Sequence, residues 1–262
     1  MKSLTADKTG ALSWDFYVTD SDEFLGTLWF EEIELEKRSC RLHWAFEGGV
    51  GEFDHWLEAA KYVTEFAIFD RKMSKINISL IKADSTSFEI LTSIGYLVGR
   101  EYSEGKERYQ RYSCDRYDLV RAHAEAQMAE HLDMDVWSFG WDSAKKRLGV
   151  CKYDQHLISL SRYFVDYHSL DEIDQVMRHE IAHALAGSKA GHGPKWKKIA
   201  TELGYNHKKI SGDEIGNATA KLIGTCPNGH TVYRHRKPKS PLSCSRCSTR
   251  FDYRYLFTWT ER

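Results

Sequence analysis

The apolar positions of this chain first fall in three strand-like runs, Trp14 to Val18, Phe24 to Glu34 and Ser39 to Phe46. A glycine-rich turn, Gly48-Gly49-Val50-Gly51, then opens a segment in which Trp56, Ala60, Val63, Phe66 and Ala67 recur at the spacing of a long amphipathic helix. The period returns to two in Lys75-Ile-Asn-Ile-Ser-Leu-Ile81, whose β-branched content predicts a strand. Asp84 and Ser85 can cap a further helix that runs through Ile94 and stops at Gly95, after which Tyr96 to Val98 resumes extended structure. Glu101 to Asp118 is charged and tyrosine-rich without a clear period, and reads as a connector that can end in a last strand of the first domain.

An amphipathic pattern over Leu119 to Leu132 predicts the next helix, followed by strand candidates at Val136 to Trp141, Leu148 to Tyr153 and His156 to Leu160. A helix from about Leu170 to Ala186, a glycine-rich turn and a helix from Pro194 to Leu203 complete this part. Lys221 to Phe257 reads as short strands between turns that carry paired cysteines or a cysteine and a histidine. No internal repeat or low-complexity segment is visible. The expected class is α+β in three parts: residues 1–115, 116–215 and 216–262.

The bulk numbers narrow the setting. With 262 residues, 42% hydrophobic and 29% charged, the chain carries enough core-forming residues for globular folding. No apolar run approaches the ~20 residues that span a bilayer. Met1 to Gly10 holds no apolar stretch of the kind a secretory signal needs, so a cytoplasmic protein is expected. Its six cysteines are then thiols or metal ligands before they are disulfides. The net charge of −1 is unevenly spread: Met1 to Gln110 holds 13 Lys and Arg against 20 Asp and Glu, and Tyr205 to Arg262 holds 11 against 4. The basic end suits either a polyanion partner or an ordinary solvated surface.

The chemistry concentrates in His179-Glu180-Ile181-Ala182-His183, inside the predicted helix. Residues four apart stand one above the other on a helix, so both imidazoles can reach one ion. Zinc accepts neutral imidazole nitrogen, and a catalytic site keeps one position open for water. Glu180 can then serve as general base, because zinc brings the pKa of bound water towards ~7. A third protein ligand is required, and His192 is the best candidate. It lies between Gly191 and Gly193, which permit tight backbone geometry, and Pro194 suits the first turn of the next helix.

Four stretches in this order and spacing, Trp137 to Tyr153, Ile158 to Ser161, Met177 to Leu185 and Gly191 to Lys197, resemble the SprT-like zinc metallopeptidase family, which includes Spartan-type proteases. The resemblance covers roughly Leu119 to Gly204. It implies His179, His183 and His192 as zinc ligands, Glu180 as catalytic base, and protein substrates that extend to those bound or crosslinked to nucleic acid. The strand around Ile158 to Ser161 is expected to align a substrate by edge pairing. Cys151 falls within the match and reads as a small core residue.

Near the C-terminus, Cys226-Pro-Asn-Gly-His230 and Cys244-Ser-Arg-Cys247 offer four ligands in two tight turns, the closed Cys/His set of a structural zinc in a zinc ribbon. Members of the SprT-like family often carry such a ribbon after the protease domain. His230 departs from the usual second cysteine, and His235 competes with it for the third ligand position. Arg234, Arg236, Lys237 and Lys239, interleaved with aromatic residues, are candidate nucleic-acid contacts, with DNA as the partner.

The front of the chain, from Trp14 to Arg100, is similar to the GNAT acyltransferase superfamily in its order of strand, glycine turn, helix, strand, helix and glycine-aromatic pair. Gly49, Val50, Gly51 and Glu52 fall where that family holds the pyrophosphate of acetyl-CoA on backbone amides at a helix start. Glu47 and Glu52 place negative charge beside that position. The main expectation is therefore a zinc-dependent metalloendopeptidase acting on protein. An acyl-CoA-dependent N-acetyltransferase and a non-enzymatic DNA-binding module stand as alternatives.

Overall fold

Three strands that hairpin back on one another, the runs anticipated between residues 14 and 46, form the centre of the first of two compact units, Met1–Phe139 and Gly140–Arg262. The computed structural model describes residues 4–10, 12–47, 51–82, 84–145, 147–208, 210–211 and 213–262. In chain order the first unit contains β1 (Leu4–Gly10), β2 (Ser13–Val18), β3 (Phe24–Glu34), β4 (Ser39–Phe46), α1 (Phe53–Glu65), β5 (Lys75–Ile81), α2 (Ser85–Ile94), β6 (Leu97–Glu104), β7 (Glu107–Asp115) and α3 (Arg116–Ala129).

The seven strands make one sheet of order β1-β2-β3-β4-β5-β7-β6. Strands β4 and β5 are parallel through Ser39↔Lys75, Cys40↔Ile76 and Arg41↔Asn77, whereas β1–β2, β2–β3, β3–β4, β5–β7 and β6–β7 pair antiparallel. A parallel neighbour needs a crossover, and α1 supplies it. Its Ala59, Ala60 and Val63 join Ile90 and Leu91 of α2 and the sheet residues Phe16, Leu28, Leu42, Ile76 and Ile78 in one core. The succession β4, α1, β5, α2 and then Gly95-Tyr96 is the order on which the GNAT resemblance rests. Gly95 ends α2 at φ +108, where a Cβ would lie 2.5 Å from the carbonyl oxygen of Asp118.

Two expectations for this unit need correction. Residues 101–118 are not a connector: β6 and β7 form a hairpin around Gly105, and β7 lies inside the sheet between β5 and β6. Its buried positions do alternate, but they are Gln110, Tyr112 and Cys114, so a polar residue hides the period. Gln110 is accommodated because its Nε2 donates to the Gly99 carbonyl at 2.8 Å. Strand β1, an edge strand rich in polar residues, was not expected at all.

The second unit contains β8 (Ser138–Asp142, beginning just before the division), β9 (Gly149–Lys152), β10 (Leu157–Ser161), α4 (Arg162–Tyr167), α5 (Leu170–Ala186), α6 (Pro194–Glu202), α7 (Asp213–Thr219), β11 (Leu222–Thr225), β12 (Thr231–Arg234) and β13 (Thr258–Glu261). Its first sheet has the order β8-β10-β9. The strand over Ile158–Ser161 is therefore central, and both its edges are already paired. This overturns the expectation that it offers an edge to substrate; β9 and β8 are the edges. Four-residue burial at Ile158, Ser159, Leu160 and Ser161 is the mark of that central place.

Helix α5 starts at a capping box in which Ser169 and Glu172 satisfy each other's amides. Ile173, Val176, Met177, Glu180 and Ile181 face inward at helical spacing, towards β9 and β10. Gly187 closes the helix at φ +86, its amide donating to the His183 carbonyl at 3.0 Å. Pro194 opens α6, which buries Trp196 and Ala200 against Ala182 and Ala186 of α5. The short helices α4 and α7 leave no mark in the apolar pattern, because six or seven residues carry too little periodicity. A second small sheet, of order β12-β11-β13, carries the cysteine turns.

Candidate metal centres

Helix α5 presents His179 and His183 one turn apart, and the loop after it returns His192 to them. That loop is built from two tight turns, Ala190 N–H to the Gly187 carbonyl at 3.0 Å and Gly193 N–H to the Ala190 carbonyl at 2.9 Å, with Gly191 at φ +50. The three Nε2 atoms form a nearly equilateral triangle: His179 to His183 is 3.2 Å, His183 to His192 is 3.1 Å, and His192 to His179 is 3.1 Å. A tetrahedral zinc with ligands at ~2.0–2.1 Å has nitrogen–nitrogen edges of ~3.3–3.4 Å. Neutral imidazoles carry one N–H each, so three converging ring nitrogens fit a shared cation better than a set of mutual hydrogen bonds. Burial, and then the neighbouring histidines, bring His179 down to about 4. Burial followed by His192 does the same for His183, which is also held at about 4. Both rings therefore remain neutral, with a lone pair free to ligate, at any pH near 7.

Glu180 is 7% exposed, and burial pushes its carboxyl up to about 7, against the pull of the Cys151 amide and the Arg147 charge. Its stem rests against Gly149 of β9, where a Cβ would lie 3.1 Å from the Glu180 Cγ. Arg147 is itself held to Asp142 at 2.8 Å, and Ser159 donates to the same carboxylate at 2.9 Å. Cys151 is buried in β9 as a core residue, and burial raises its thiol to about 12.

Four further residues surround the histidines without having been assigned roles from sequence. The Trp196 ring lies 4.8, 5.3 and 4.6 Å from the rings of His179, His183 and His192. The hydroxyl of Tyr153 is 3.3 Å from His183 Nδ1, a contact that orients the imidazole through its non-ligating nitrogen. Tyr205 stands edge-on to His179 at 5.3 Å, and His207 is 5.0 Å from Tyr205. Burial, and then the Glu180 charge, raise the Tyr205 phenol above its ordinary range. Tyr153 and Trp196 lie inside the sequence motifs, but Tyr205 and His207 follow the last of them and carry no pattern of their own.

The second cluster joins Cys226, His230, Cys244 and Cys247, whose ligand atoms all lie within 4.8 Å of one another. Sγ of Cys226 is 3.8 Å from Sγ of Cys247, and His230 Nδ1 is 3.6, 3.6 and 3.2 Å from the sulfurs of Cys226, Cys244 and Cys247. Zinc–sulfur bonds of ~2.3 Å give a tetrahedral edge of about 3.8 Å between sulfurs, so this donor set fits the ion. Gly229 at φ +81 lets the Cys226 amide close on the His230 carbonyl at 3.0 Å, which turns His230 inward. His235 is not in the group; its Nε2 lies 3.5 Å from Thr219 Oγ1.

Arg234, Arg236, Lys237 and Lys239 are all exposed, on the end of β12 and the loop after it. Gly49 and Val50 lie outside the described residues. Gly51 has φ +72, and the Glu52 amide at the start of α1 already donates to His55 Nδ1 at 2.9 Å. Among the described residues no helix is long and apolar enough to cross a membrane.

A family model for the SprT-like family matches residues 118–215, and those residues form an SprT-like domain. No protein in a curated set matches the chain. Among solved structures, the ribosomal-protein-S5-alanine acetyltransferase from Vibrio fischeri is 11% identical, with 41% of this chain and 62% of that one covered and a TM-score of 0.38. This chain thus spans less than two thirds of that enzyme. A GNAT-family acetyltransferase from Bacillus anthracis is 13% identical over 41% of this chain and 68% of that one, with a TM-score of 0.37. The N-terminal domain of a ribosomal-protein-alanine acetyltransferase from Clostridium acetobutylicum is 12% identical over 45% and 95%, with a TM-score of 0.39.

Proposed function

We propose that this protein is a zinc-dependent metalloendopeptidase, with His179, His183 and His192 holding the metal and Glu180 acting as general base. The observation that carries the reading is the triangle of Nε2 atoms, 3.1 to 3.2 Å on a side, on the helix that also bears a buried glutamate. Zinc bound there supplies Lewis acidity, acidifying a water and polarising a peptide carbonyl. Glu180 accepts the proton of the attacking water and returns it to the departing amine. Tyr153, through His183 Nδ1, fixes the tautomer and orientation of that ring. Strand β9 is one of the two edges of its sheet and runs past Glu180 at Gly149, so an extended substrate pairs with β9.

The Cys226, His230, Cys244 and Cys247 group holds a second, structural zinc in this reading, and the exposed cations Arg234, Arg236, Lys237 and Lys239 meet the phosphates of DNA. The substrates are then proteins associated with nucleic acid. An acyl-transfer role has less support, because Glu52 sets a carboxylate at the helix start where a pyrophosphate would sit. Metal analysis tests the ligand set: His192→Ala is expected to lose one zinc equivalent, and Glu180→Gln to keep both. Full zinc retention in His192→Ala contradicts the assignment.

A further inference from the structure

The active-site reading leaves one requirement unfilled: a donor for the carbonyl oxygen, which gains negative charge when water adds. We propose that Tyr205 is that donor and hence a further catalytic residue, an inference that rests on the peptidase reading. Its phenol O–H is placed to hydrogen-bond the developing oxyanion on the His179 side of the metal site.

The placement is built with some care. Tyr205 lies beyond α6 in a turn that α5 clasps through Gln175, one turn before His179, and Arg178, next to it. Arg178 Nη1 donates to the Leu203 carbonyl at 2.8 Å, and Gln175 Nε2 donates to the Gly204 carbonyl at 3.4 Å. Gln175 Oε1 accepts the Asn206 amide at 2.8 Å, and the Tyr205 amide itself returns to the Ala200 carbonyl at 2.8 Å. Gly204 takes φ +78 there, and a Cβ would lie 2.3 Å from Arg178 Nη1, so the clasp and the glycine go together. His207 takes φ +58, a conformation that costs a side-chain-bearing residue energy, and its Nε2 lies 2.9 Å from Thr201 Oγ1. The same α5 segment therefore fixes both the ligands and the turn that carries the phenol.

The ring is held by His179, Trp196 and His207, with centroids 5.3, 5.9 and 5.0 Å away. Its hydroxyl has no hydrogen-bond partner among the described residues, whereas the Tyr153 hydroxyl is engaged with His183. A donor aimed at an oxyanion from a fixed ring needs no reorganisation during the reaction, which is the source of its effect on rate.

Tyr205→Phe keeps the packing of the ring and removes only the O–H. In the full-length, zinc-loaded protein, turnover is expected to fall about 100-fold with KM within about twofold and zinc content unchanged. A second readout is independent of turnover: calorimetric binding of an N-blocked trialanine phosphonamidate, a tetrahedral analogue, beside the parent trialanine peptide. The phosphonamidate is expected to bind Tyr205→Phe about 100-fold more weakly than wild type, with the parent peptide unaffected. Equal phosphonamidate affinity in the two proteins, no binding by wild type, or loss of zinc from Tyr205→Phe each overturns the proposal. If Glu180→Gln is inactive and Tyr205→Phe is fully active, this inference alone fails; if Glu180→Gln cleaves normally, the underlying peptidase mechanism fails.

Discussion

Gly149 of β9 and Glu180 of α5 are in contact: a Cβ on the glycine would lie 3.1 Å from the glutamate Cγ and 2.9 Å from Cγ1 of Val176. The strand expected to bound the substrate path thus also sets how deeply the general base can sit. A methyl group at this point must push one of the two elements away. Gly149→Ala is expected to lower turnover by about 10- to 100-fold, because displacements of order an ångström are costly when a proton acceptor must be placed. Zinc content should be unchanged. Metal analysis beside steady-state kinetics checks this, and a wild-type rate in the variant would show that the contact is slack.

The burial of Glu180 makes a prediction about stability and pH in zinc-free protein. Its carboxyl titrates at about 7 in the folded chain, against an ordinary value of 4.5. Between these limits the unfolded chain has released a proton that the folded chain keeps, so the stability contributed at low pH is lost as pH rises through the window. Glu180→Gln does not titrate. It should therefore stabilise the chelated protein by up to about 3 kcal/mol at pH 8 and by little at pH 4.5. Thermal unfolding at the two pH values measures the difference; a gain that does not depend on pH would remove burial of the charge as its cause.

The ligand histidines act in the opposite direction over much the same pH range. His179 and His183 stay neutral to about 4 in the folded chain, while an unfolded histidine takes up its proton near 6.5. Metal-free protein should therefore lose stability as pH falls from about 6.5 towards 4, and more steeply in Glu180→Gln, which lacks the opposing gain from Glu180. His183→Gln should flatten the acid side of that profile, and an unchanged profile would contradict the neutral-imidazole account.

In the C-terminal sheet, Cys247 is the sulfur to which His230 Nδ1 comes closest, at 3.2 Å, and it also accepts from Asn228 Nδ2 at 3.4 Å. Cys247→Ser should lower the zinc stoichiometry from two to one without loss of peptidase turnover on a small peptide. Amide exchange in β11 and β13 should rise at the same time, because so small a sheet depends on its metal for folding free energy. Retention of both zinc equivalents would exclude this group as the second site.

What the chain reveals before folding follows from where the information lies. Helix α5 is legible in the sequence because its apolar stripe is local, and the structure adds the capping box of Ser169 and Glu172. His179 and His183 came with it, since their meeting is a property of helix pitch. His192 needed the glycine turn, and the choice of His230 over His235 needed the backbone closure at Gly229. Strand β7 was missed because Gln110 occupies an inward position that a hydrogen bond, not hydrophobicity, makes tolerable. The central place of β10 is a matter of which strands pair, and no local pattern records it. Tyr205 is the extreme case, held in place by Gln175 and Arg178 from about 30 positions earlier in the chain.

The most direct measurement compares zinc-loaded wild type and Glu180→Gln on a DNA-binding protein substrate, with and without DNA. Wild type is expected to cleave, faster when DNA holds the two proteins together, and Glu180→Gln to lose at least about 1,000-fold of that rate with both zinc equivalents retained. Cleavage by Glu180→Gln at the wild-type rate, with its zinc content confirmed, would contradict the central claim.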